Sequence, residues 1–431
     1  MVKNLYNNKV AKNAVWLISS KVLQAILSIV VTIFSARFLG PSNYGLVSYA
    51  ASVVSFAAPI TLLGLSNIQV QEYVNHPEEE GKILGSSVIM SVFSAIACMV
   101  GVTCFSLIAN ANEFETTMVV ALYSIMLLFQ GTELIMYWFQ AKYLNKHYAI
   151  VSLIAYAAVT SYKLILLING MSIMLFAVAN ALDYFLITML LYILYRRRGG
   201  QRIVFDKTVA KRLFNKSKHY IIPNLMIPFF TQTDHIMIKH LIDETAVGYY
   251  TAATACAAYA NFIFIAIIDA ARPSVFEKRK ESDEQFEKSV IRLFSVVVYL
   301  SFVFGLAMML LSPFIIRLLY GPEYSPGTQS LMIVSWFPLF SFIGMVRNVW
   351  VLAMDRQKHL WIVNIAGALI NIGLNIPLIN LLGIEGAAIA SLITQCFTNV
   401  IFTACFKPYR RSAVLLAKSL NPKYIFDFLK R

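Results

Sequence analysis

The sequence predicts an all-α integral membrane protein with twelve transmembrane helices in two six-helix lobes. Three observations lead to this fold class: apolar runs of about twenty residues recur from end to end, only 13% of the 431 residues are charged, and the mean hydropathy is +0.67. A soluble protein carries about 25% charged residues, so an ordinary soluble domain is excluded. Continuous apolar runs indicate helices, because a helix satisfies its backbone polar groups within its own segment.

Six apolar runs lie in each half of the chain. The first follows three lysines, but it is too long for the core of a signal peptide and lacks a cleavage site of small residues, so it is predicted to be the first span. The predicted spans are 14–38, 44–66, 83–109, 116–140, 148–168 and 172–195 in the first half, and 217–241, 246–271, 291–318, 329–354, 360–381 and 385–406 in the second.

The basic residues orient these spans. Thirty of the 36 Lys and Arg residues lie on the side of both termini, which the positive-inside rule makes cytoplasmic. The net charge of +14 does not indicate a nucleic-acid partner, because the basic residues are spread between spans rather than gathered on one face. The predicted organisation is an N-terminal lobe over 1–195, a cytoplasmic linker over 196–216, a C-terminal lobe over 217–406 and a basic cytoplasmic tail over 407–431.

Two short segments of the first half recur in the second. Lys146-His147 and the residues after it parallel Lys358-His359 at an offset of 212, and Arg37-Phe38-Leu39 parallels Lys239-His240-Leu241 at an offset of 202. Because six spans per half is an even number, both lobes are predicted to run in the same direction through the membrane. Parallel repeats of this kind are related by an axis along the membrane normal.

Seven charged residues interrupt the apolar runs, besides six others at the ends of the predicted spans. Each costs roughly 2.5–3.5 kcal/mol at the bilayer centre, so these residues are predicted to face an aqueous chamber or one another. Polar residues in the first, fourth, fifth, seventh and eleventh spans recur on one face of each helix, which is typical of helices that line a wet cavity. The seven charged residues are Lys21, Glu133, Lys163, Asp183, Asp234, Asp269 and Arg347.

For several charged residues a purely structural role is an open alternative. Lys21 is close enough to the cytoplasmic end of its span to extend its amine to the interface. Asp269 and Arg272 have the spacing of an i,i+3 ion pair. Arg37 and Lys239 lie at the outer ends of spans, where they could serve only as anchors. The Asn, Ser and Thr stripes could equally be contacts between helices.

The sequence has no signature of an enzyme or of an ATP-driven pump. It contains no glycine-rich phosphate loop and no nucleophile elbow, and its five cysteines lie in apolar runs without metal-ligand spacing. These observations predict a transporter without a cofactor, driven by an H⁺ or Na⁺ gradient or by the gradient of its own substrate. The adjacent Asp234 and His235 suggest a proton relay.

Four segments resemble the polysaccharide and O-antigen flippases of the multidrug/oligosaccharidyl-lipid/polysaccharide exporter superfamily. Their order and spacing cover nearly the whole chain. The sequence departs from its own first-half pattern at Ile242-Asp243, where the first half has Gly40-Pro41. The four segments are Ala36 to Gly45, Tyr137 to Ala141 followed by Lys146 and Tyr148, Thr233 to Ile238 followed by Ala246 to Tyr250, and Leu319 to Tyr324.

The resemblance implies movement of an undecaprenyl-pyrophosphate-linked oligosaccharide, an O-antigen or capsule repeat unit, across the bacterial inner membrane. The implied partners are this lipid-linked substrate, membrane lipid and, as a candidate, a glycan polymerase. The pyrophosphate would be bound by the cations Lys21, Lys163, Arg347, Arg37 and Lys239. The sugar hydroxyls would be bound by Tyr156, Asn364, Asn371 and Asn375. The candidates for ion coupling or for pairing with these cations are Asp234, His235, Glu133, Asp183 and Asp269.

Three alternative functions remain open. A drug or cation antiporter of the same superfamily would favour a carboxylate-rich chamber, whereas the charges here are mixed. A membrane glycan polymerase or ligase would need a large outer loop, and no outer connection in this sequence is long. A lipid II flippase would be supported by spans beyond the twelve.

Overall fold

The computed structural model describes residues 9–111, 113–259 and 261–424, and the regular structure in these ranges is helical throughout. Within them, nine helical stretches are long and apolar enough to cross a membrane. The prediction of an all-α membrane protein is confirmed. The chain divides into two compact units, Met1–Gln232 and Thr233–Arg431, which are called the N-terminal and C-terminal units below.

The helices of the N-terminal unit begin with an element that turns sharply at Gly40, whose φ of 70° and ψ of 171° are accessible to glycine alone. The predicted spans 14–38 and 44–66 therefore lie in one helical element with a turn at Gly40-Pro41. The helices are α1 Lys9–Thr61, α2 Gln69–Asn75, α3 Glu80–Ala109, α4 Phe114–Ser124, α5 Met126–Thr132, α6 Met136–Ala141, α7 Asn145–Ile168, α8 Ile173–Arg197, α9 Lys207–Ser217 and α10 Ile221–Thr231.

The C-terminal unit begins with short helices and continues with long ones. At the position that corresponds to Gly40-Pro41, Asp243 caps the next helix by accepting a hydrogen bond from the Ala246 N–H at 2.7 Å. The helices are α11 Thr233–Leu241, α12 Glu244–Ala258, α13 Asn261–Glu281, α14 Asp283–Leu319, α15 Thr328–Val334, α16 Phe337–Ala353, α17 Leu360–Leu382, α18 Ile384–Cys396, α19 Phe402–Cys405 and α20 Arg410–Ser419, with a π-helix at Phe397–Ile401 between α18 and α19.

Ten of the twelve predicted spans lie in the nine long stretches, because the first stretch contains two of them. The other two, 217–241 and 246–271, are divided among the shorter helices α10 to α13. Gln232 leaves helical geometry between α10 and α11, one turn after Pro228. Proline removes a backbone donor, and an interrupted span is tolerated where protein or water satisfies the freed groups.

The internal repeat at an offset of 212 is visible in the backbone. Tyr143, before α7, has a φ of 57°, and Asp355, before α17, has a φ of 53°. Trp138 and Trp350, also 212 residues apart, are both buried just before these turns. Residues other than glycine rarely adopt positive φ, so two such turns at one offset support the repeat. The turns are closed by Leu144 N–H to Phe139 O at 2.7 Å and Arg356 N–H to Val351 O at 3.0 Å.

The predicted linker 196–216 is packed into the N-terminal unit. Asp206 accepts hydrogen bonds from the Val209 and Thr208 N–H groups and lies 3.3 Å from Lys82 Nζ. These partners hold the pKa of the Asp206 carboxyl below its usual range. The unit boundary therefore falls after Gln232 rather than at residue 196 or 217, because polar contacts fasten the linker to the helices before it.

Glu72 is the buried centre of these contacts. Its side chain is 1% exposed, lies 2.6 Å from Lys216 Nζ and 3.2 Å from Arg212 Nε, and so joins α9 to α2. Arg212 also contacts Glu79 at 2.7 Å. A buried carboxylate is tolerated only when charges of this kind surround it.

Glu72→Ala is expected to lower the free energy of unfolding by about 1–3 kcal/mol, because it leaves two cations without their buried partner. Thermal unfolding of the purified protein in detergent measures this change. Glu78→Ala is the matched control, because its side chain is 67% exposed and its one ion pair among the described residues is with His76, at 3.7 Å. Equal midpoints for the two variants would contradict the role given to Glu72.

Candidate functional site

A cavity of about 470 Å³ lies in the N-terminal unit, between the second half of α1, α4, α5 and α10. Its polar lining consists of hydroxyl and amide groups, and none of the described lining residues is charged. Gln130 Oε1 is buried and accepts no hydrogen bond from the described residues, whereas Asn224 donates to Asn67 Oδ1 at 3.0 Å. The lining residues are Ala51, Val54, Ser55, Ala58, Pro59, Leu62, Tyr123, Met126, Gln130, Asn224, Ile227, Pro228 and Thr231.

Lys163 is connected to this cavity through two hydrogen bonds. Its Nζ donates to Asn180 Oδ1 at 2.7 Å, and Asn180 Nδ2 donates to the hydroxyl oxygen of Tyr123, a lining residue, at 2.7 Å. The Lys163 ammonium also lies 5.4 Å from the centre of the Phe176 ring. No carboxylate lies within 4 Å of it among the described residues, so a neutral amide holds this cation.

Glu133 and Asp183, predicted as partners of cations, make no ion pair within 4 Å in the described part of the chain. Glu133 accepts a hydrogen bond from the Tyr148 hydroxyl at 3.4 Å. Asp183 Oδ1 is buried without a hydrogen-bond donor among the described residues. The sequence placed these carboxylates in the same lobe as Lys163, but helical periodicity gives the face of one helix and not the distance to the next.

A buried polar cluster in the C-terminal unit surrounds Asp234. The carboxylate is 8% exposed and accepts three hydrogen bonds: from Tyr250 Oη at 2.7 Å, from Ser391 Oγ at 2.5 Å and from Asn375 Nδ2 at 2.7 Å. None of these donors carries a charge. Asn375 Oδ1 is buried without a partner among the described residues. An oxygen-rich site of this kind suits a small cation or a proton.

The cluster changes the interpretation of two asparagines. Asn371 and Asn375, predicted to bind sugar, are 3% and 0% exposed. Asn371 donates to Ser391 Oγ at 3.0 Å and accepts from Asn375 Nδ2 at 3.1 Å. They therefore belong to the Asp234 site, because their shared stripe packs against α11 rather than facing a cavity.

The sequence analysis missed Tyr250 and Ser391. Tyr250 is part of the Ala246 to Tyr250 segment that carried the family resemblance, so a signal for it existed. Ser391 had none, because a single serine in an apolar run is common. His235, predicted with Asp234 as a proton relay, is buried, and its Nδ1 has no partner among the described residues.

Arg347 is buried at the π-helix between α18 and α19. It is 4% exposed, and its Nη1 donates to Thr398 O at 3.0 Å and to Thr403 Oγ1 at 3.2 Å. Its Nη2 donates to Asn348 Oδ1 at 3.1 Å. The wider turn of a π-helix leaves carbonyls available for other donors. No carboxylate of the described chain lies within 4 Å of this guanidinium, so its charge is solvated by neutral groups.

Gly344 provides the space that this arrangement needs. A Cβ atom at this position would collide with the amide group of Asn399, in the π-helix. Gly344→Ala is expected to lower the free energy of unfolding by about 1–3 kcal/mol, as overpacking does, and Asn399→Ala in the same chain should recover part of the loss. Gly373→Ala is the control, because no atom lies within 4 Å of the added Cβ. An equal thermal midpoint for Gly344→Ala and Gly373→Ala would contradict the close packing of Gly344 against Asn399.

The other predicted residues lie outside these clusters. Asp269 is exposed and lies 2.9 Å from Arg272 Nη2, which fits the alternative of an i,i+3 pair. Lys239 is buried and contacts Glu244 Oε2 at 2.8 Å, so its charge is paired at the turn before α12. Lys21 and Arg37 are exposed, and Tyr156 and Asn364 are half-buried.

The long apolar helices and the buried polar clusters within them define a multi-pass membrane protein of the transporter type. A profile of the MatE family matches residues 220–376. A profile described as polysaccharide biosynthesis protein matches residues 10–278, more than half of the chain, so the protein belongs to this family.

Two relatives have names that agree with this assignment. The chain is 22% identical over 402 residues to a Shigella flexneri protein named as an O-antigen transporter, covering 88% of this chain and 94% of the relative. It is 22% identical over 195 residues to the low-salt glycan biosynthesis flippase Agl15 of Haloferax volcanii, covering 44% of this chain and 41% of the relative.

Two solved structures have the same fold at low identity. An inward-facing multidrug resistance MATE family transporter of the MOP superfamily has a TM-score of 0.70 at 13% identity. The match covers 94% of this chain and 98% of that protein. The lipid II flippase MurJ in an inward closed conformation has a TM-score of 0.66 at 14% identity, and the match covers 94% of this chain and 92% of that protein.

Proposed function

We propose that this protein is a flippase that moves a lipid-linked oligosaccharide across the bacterial inner membrane by alternating access, and that it is not an enzyme. The substrate is an undecaprenyl-pyrophosphate-linked O-antigen or capsule repeat unit. The observation that carries the proposal is the uncharged cavity of the N-terminal unit. Amide and hydroxyl groups such as those of Gln130 and Asn224 match sugar hydroxyls, whereas a cationic drug would require a carboxylate in the lining.

The family assignment and the names of the relatives support a glycan substrate. The negative pyrophosphate requires a cation. Lys163, which is half-buried, and Arg347, which is buried, are cations of the spans without a carboxylate within 4 Å among the described residues. A cation held by neutral groups keeps its charge for an incoming anion. Lys163 is the stronger candidate, because its hydrogen bonds lead to Tyr123 at the cavity.

The Asp234 site supplies a place for ion coupling. The Asp234 carboxylate accepts hydrogen bonds from three neutral donors, and the buried Asn375 Oδ1 has no partner among the described residues. The negative charge of this site would be neutralised by one Na⁺ or one H⁺. We assign coupling to this site rather than to Glu133, which accepts one side-chain hydrogen bond, or to Asp183, whose Oδ1 has no donor among the described residues. The proposed orientation places both termini in the cytoplasm, and a glycan polymerase on the opposite side is the proposed consumer of the product.

Replacement of Gln130 tests the sugar assignment. Gln130→Leu keeps the side-chain size but removes an amide, so it is expected to reduce assembly of surface glycan about tenfold in a strain that lacks its own copy of the gene. Staining of extracted glycan after gel electrophoresis measures this loss, and membrane abundance is measured in parallel. Met126→Leu, an apolar exchange in the same cavity, is the control.

Two outcomes would contradict the proposal. Normal surface glycan with Gln130→Leu would remove the cavity from the sugar path. Resistance to cationic drugs on overexpression of the unmodified protein, with no effect of its deletion on surface glycan, would instead favour the antiporter alternative.

A further inference from the structure

A second cavity, of about 760 Å³, lies in the C-terminal unit between α13 and the first turns of α14, and we call it the α13–α14 groove. Each helix contributes one face, since the lining positions recur every three or four residues. One end is polar and the other apolar. The polar end consists of Ser274, Lys278, Gln285, Lys288, Ser289 and Arg292, and the apolar end of Ile267, Ala270, Ala271, Val275, Leu293 and Val296.

The groove is lined by three cations and by no carboxylate. Lys278 Nζ contacts Glu281 at 2.7 Å, and Lys288 Nζ contacts Glu284 at 2.5 Å, both outside the lining. Ion pairs as exposed as these contribute little to stability, so a ligand can replace them. Arg292 is half-buried and makes no ion pair or hydrogen bond with the described residues. It therefore presents an uncompensated positive charge to the groove.

The groove is long enough to reach from the head groups of a membrane into the hydrocarbon of one leaflet. Ile267 and Lys278 are eleven residues apart on α13, which corresponds to about 16 Å along the helix axis. Half of the hydrocarbon core of a bilayer is about 15 Å thick. Ala270 and Ala271 keep the apolar end wide enough for a chain, because their side chains are a single methyl group. A molecule with an anionic head and an apolar tail fits both ends at once.

We propose that the α13–α14 groove binds one anionic glycerophospholipid, with its phosphate at Arg292, Lys278 and Lys288 and an acyl chain along the apolar end. Basic pockets between membrane helices recognise lipid head groups in this way. The site lies in the leaflet next to the 272–292 connection, which is cytoplasmic in the proposed orientation. One unpaired guanidinium suits the single charge of a phosphodiester better than a pyrophosphate. The proposal does not depend on the transported substrate.

Lipid selectivity of the purified full chain tests the proposal. In detergent, native mass spectrometry is expected to show one phosphatidylglycerol retained per chain at concentrations where phosphatidylcholine with the same acyl chains is lost. Lys278→Gln with Arg292→Gln should weaken phosphatidylglycerol binding about 30-fold, because two surface cations are removed. Lys280→Gln is the matched control, since Lys280 is exposed and absent from the lining.

A second variant separates the lipid from a free phosphate. Ala270→Phe fills the apolar end and leaves all three cations, so it should also release phosphatidylglycerol, and glycerol 3-phosphate should not compete. Equal retention of phosphatidylcholine by the unmodified chain, or full retention of phosphatidylglycerol by the double variant, would overturn the proposal. Competition by glycerol 3-phosphate together with unchanged binding in Ala270→Phe would overturn the lipid assignment and indicate a phosphate site.

Discussion

Asp234→Asn is expected to abolish ion-driven transport while the protein remains folded in the membrane. The exchange keeps the shape of the side chain and removes the negative charge that lies among Tyr250, Ser391 and Asn375. A cation or proton held by that charge should lose affinity on the order of a hundredfold, as when one partner of a buried pair is removed. Stability should be retained, because a buried charge without a counter-ion is itself unfavourable.

Thermal unfolding in detergent measures this effect without a transport assay. A ligand that binds only the folded state raises its stability, so Na⁺, or a lower pH if the ion is H⁺, should raise the midpoint of the unmodified protein and leave that of Asp234→Asn unchanged. Asp269→Asn, an exposed carboxylate paired with Arg272, is the control and should behave as the unmodified protein does. A midpoint of Asp234→Asn that still rises with the ion would exclude Asp234 as its ligand.

Lys163→Ala is expected to block surface glycan assembly at unchanged membrane abundance. A charge-assisted hydrogen bond contributes about 1.5–3 kcal/mol, so removal of the ammonium should reduce transport roughly 10- to 100-fold. Asn180→Ala should have a smaller effect, because it releases the ammonium from its amide but keeps the charge. The double variant should be no worse than Lys163→Ala alone, since both act through one contact.

Arg347→Ala is expected to block glycan assembly as well, because it removes the second candidate cation for the pyrophosphate, which is buried. Arg347→Lys keeps the charge. Lysine has no planar guanidinium, however, so it cannot donate to both Thr398 O and Asn348 Oδ1. A partial recovery by lysine would therefore indicate that the charge matters beyond the hydrogen bonds at the π-helix. Normal glycan in both Lys163→Ala and Arg347→Ala would remove these residues from the substrate path.

The fold could be predicted from the sequence because the membrane restricts the choice of structure. Long apolar runs gave ten spans that lie in long helices, and the 212-residue repeat reappears in the turns at Tyr143 and Asp355. The division of two spans into the helices α10 to α13 could not be predicted in this way. Hydropathy is averaged over many residues, so it does not detect a single residue such as Gln232 that leaves helical geometry. The packing of residues 196–216 against the preceding helices could not be predicted either, because the ion pairs to Glu72 join residues far apart in sequence.

The sequence indicated polar residues in the spans but not how they group. Asp234 and the asparagines Asn371 and Asn375 were assigned to different roles, whereas the structure joins them in one hydrogen-bonded cluster. A stripe on a helix shows that one face is polar, and only packing shows whether that face meets another helix or a cavity. The uncharged cavity around Gln130 was indicated only by the polar faces of the fourth and seventh spans, and its position could not be predicted, because neutral side chains in a span carry little cost.

Movement of a lipid-linked glycan by the purified protein is the most direct test of the proposed function. In proteoliposomes with undecaprenyl-pyrophosphate-linked oligosaccharide in the inner leaflet, the exposed glycan is measured by its accessibility to an external glycosidase. The unmodified protein is expected to expose the glycan in proportion to protein content, Gln130→Leu and Lys163→Ala to expose little, and Met126→Leu to match the unmodified protein. Equal exposure with and without protein would contradict the proposal that this chain is a glycan flippase.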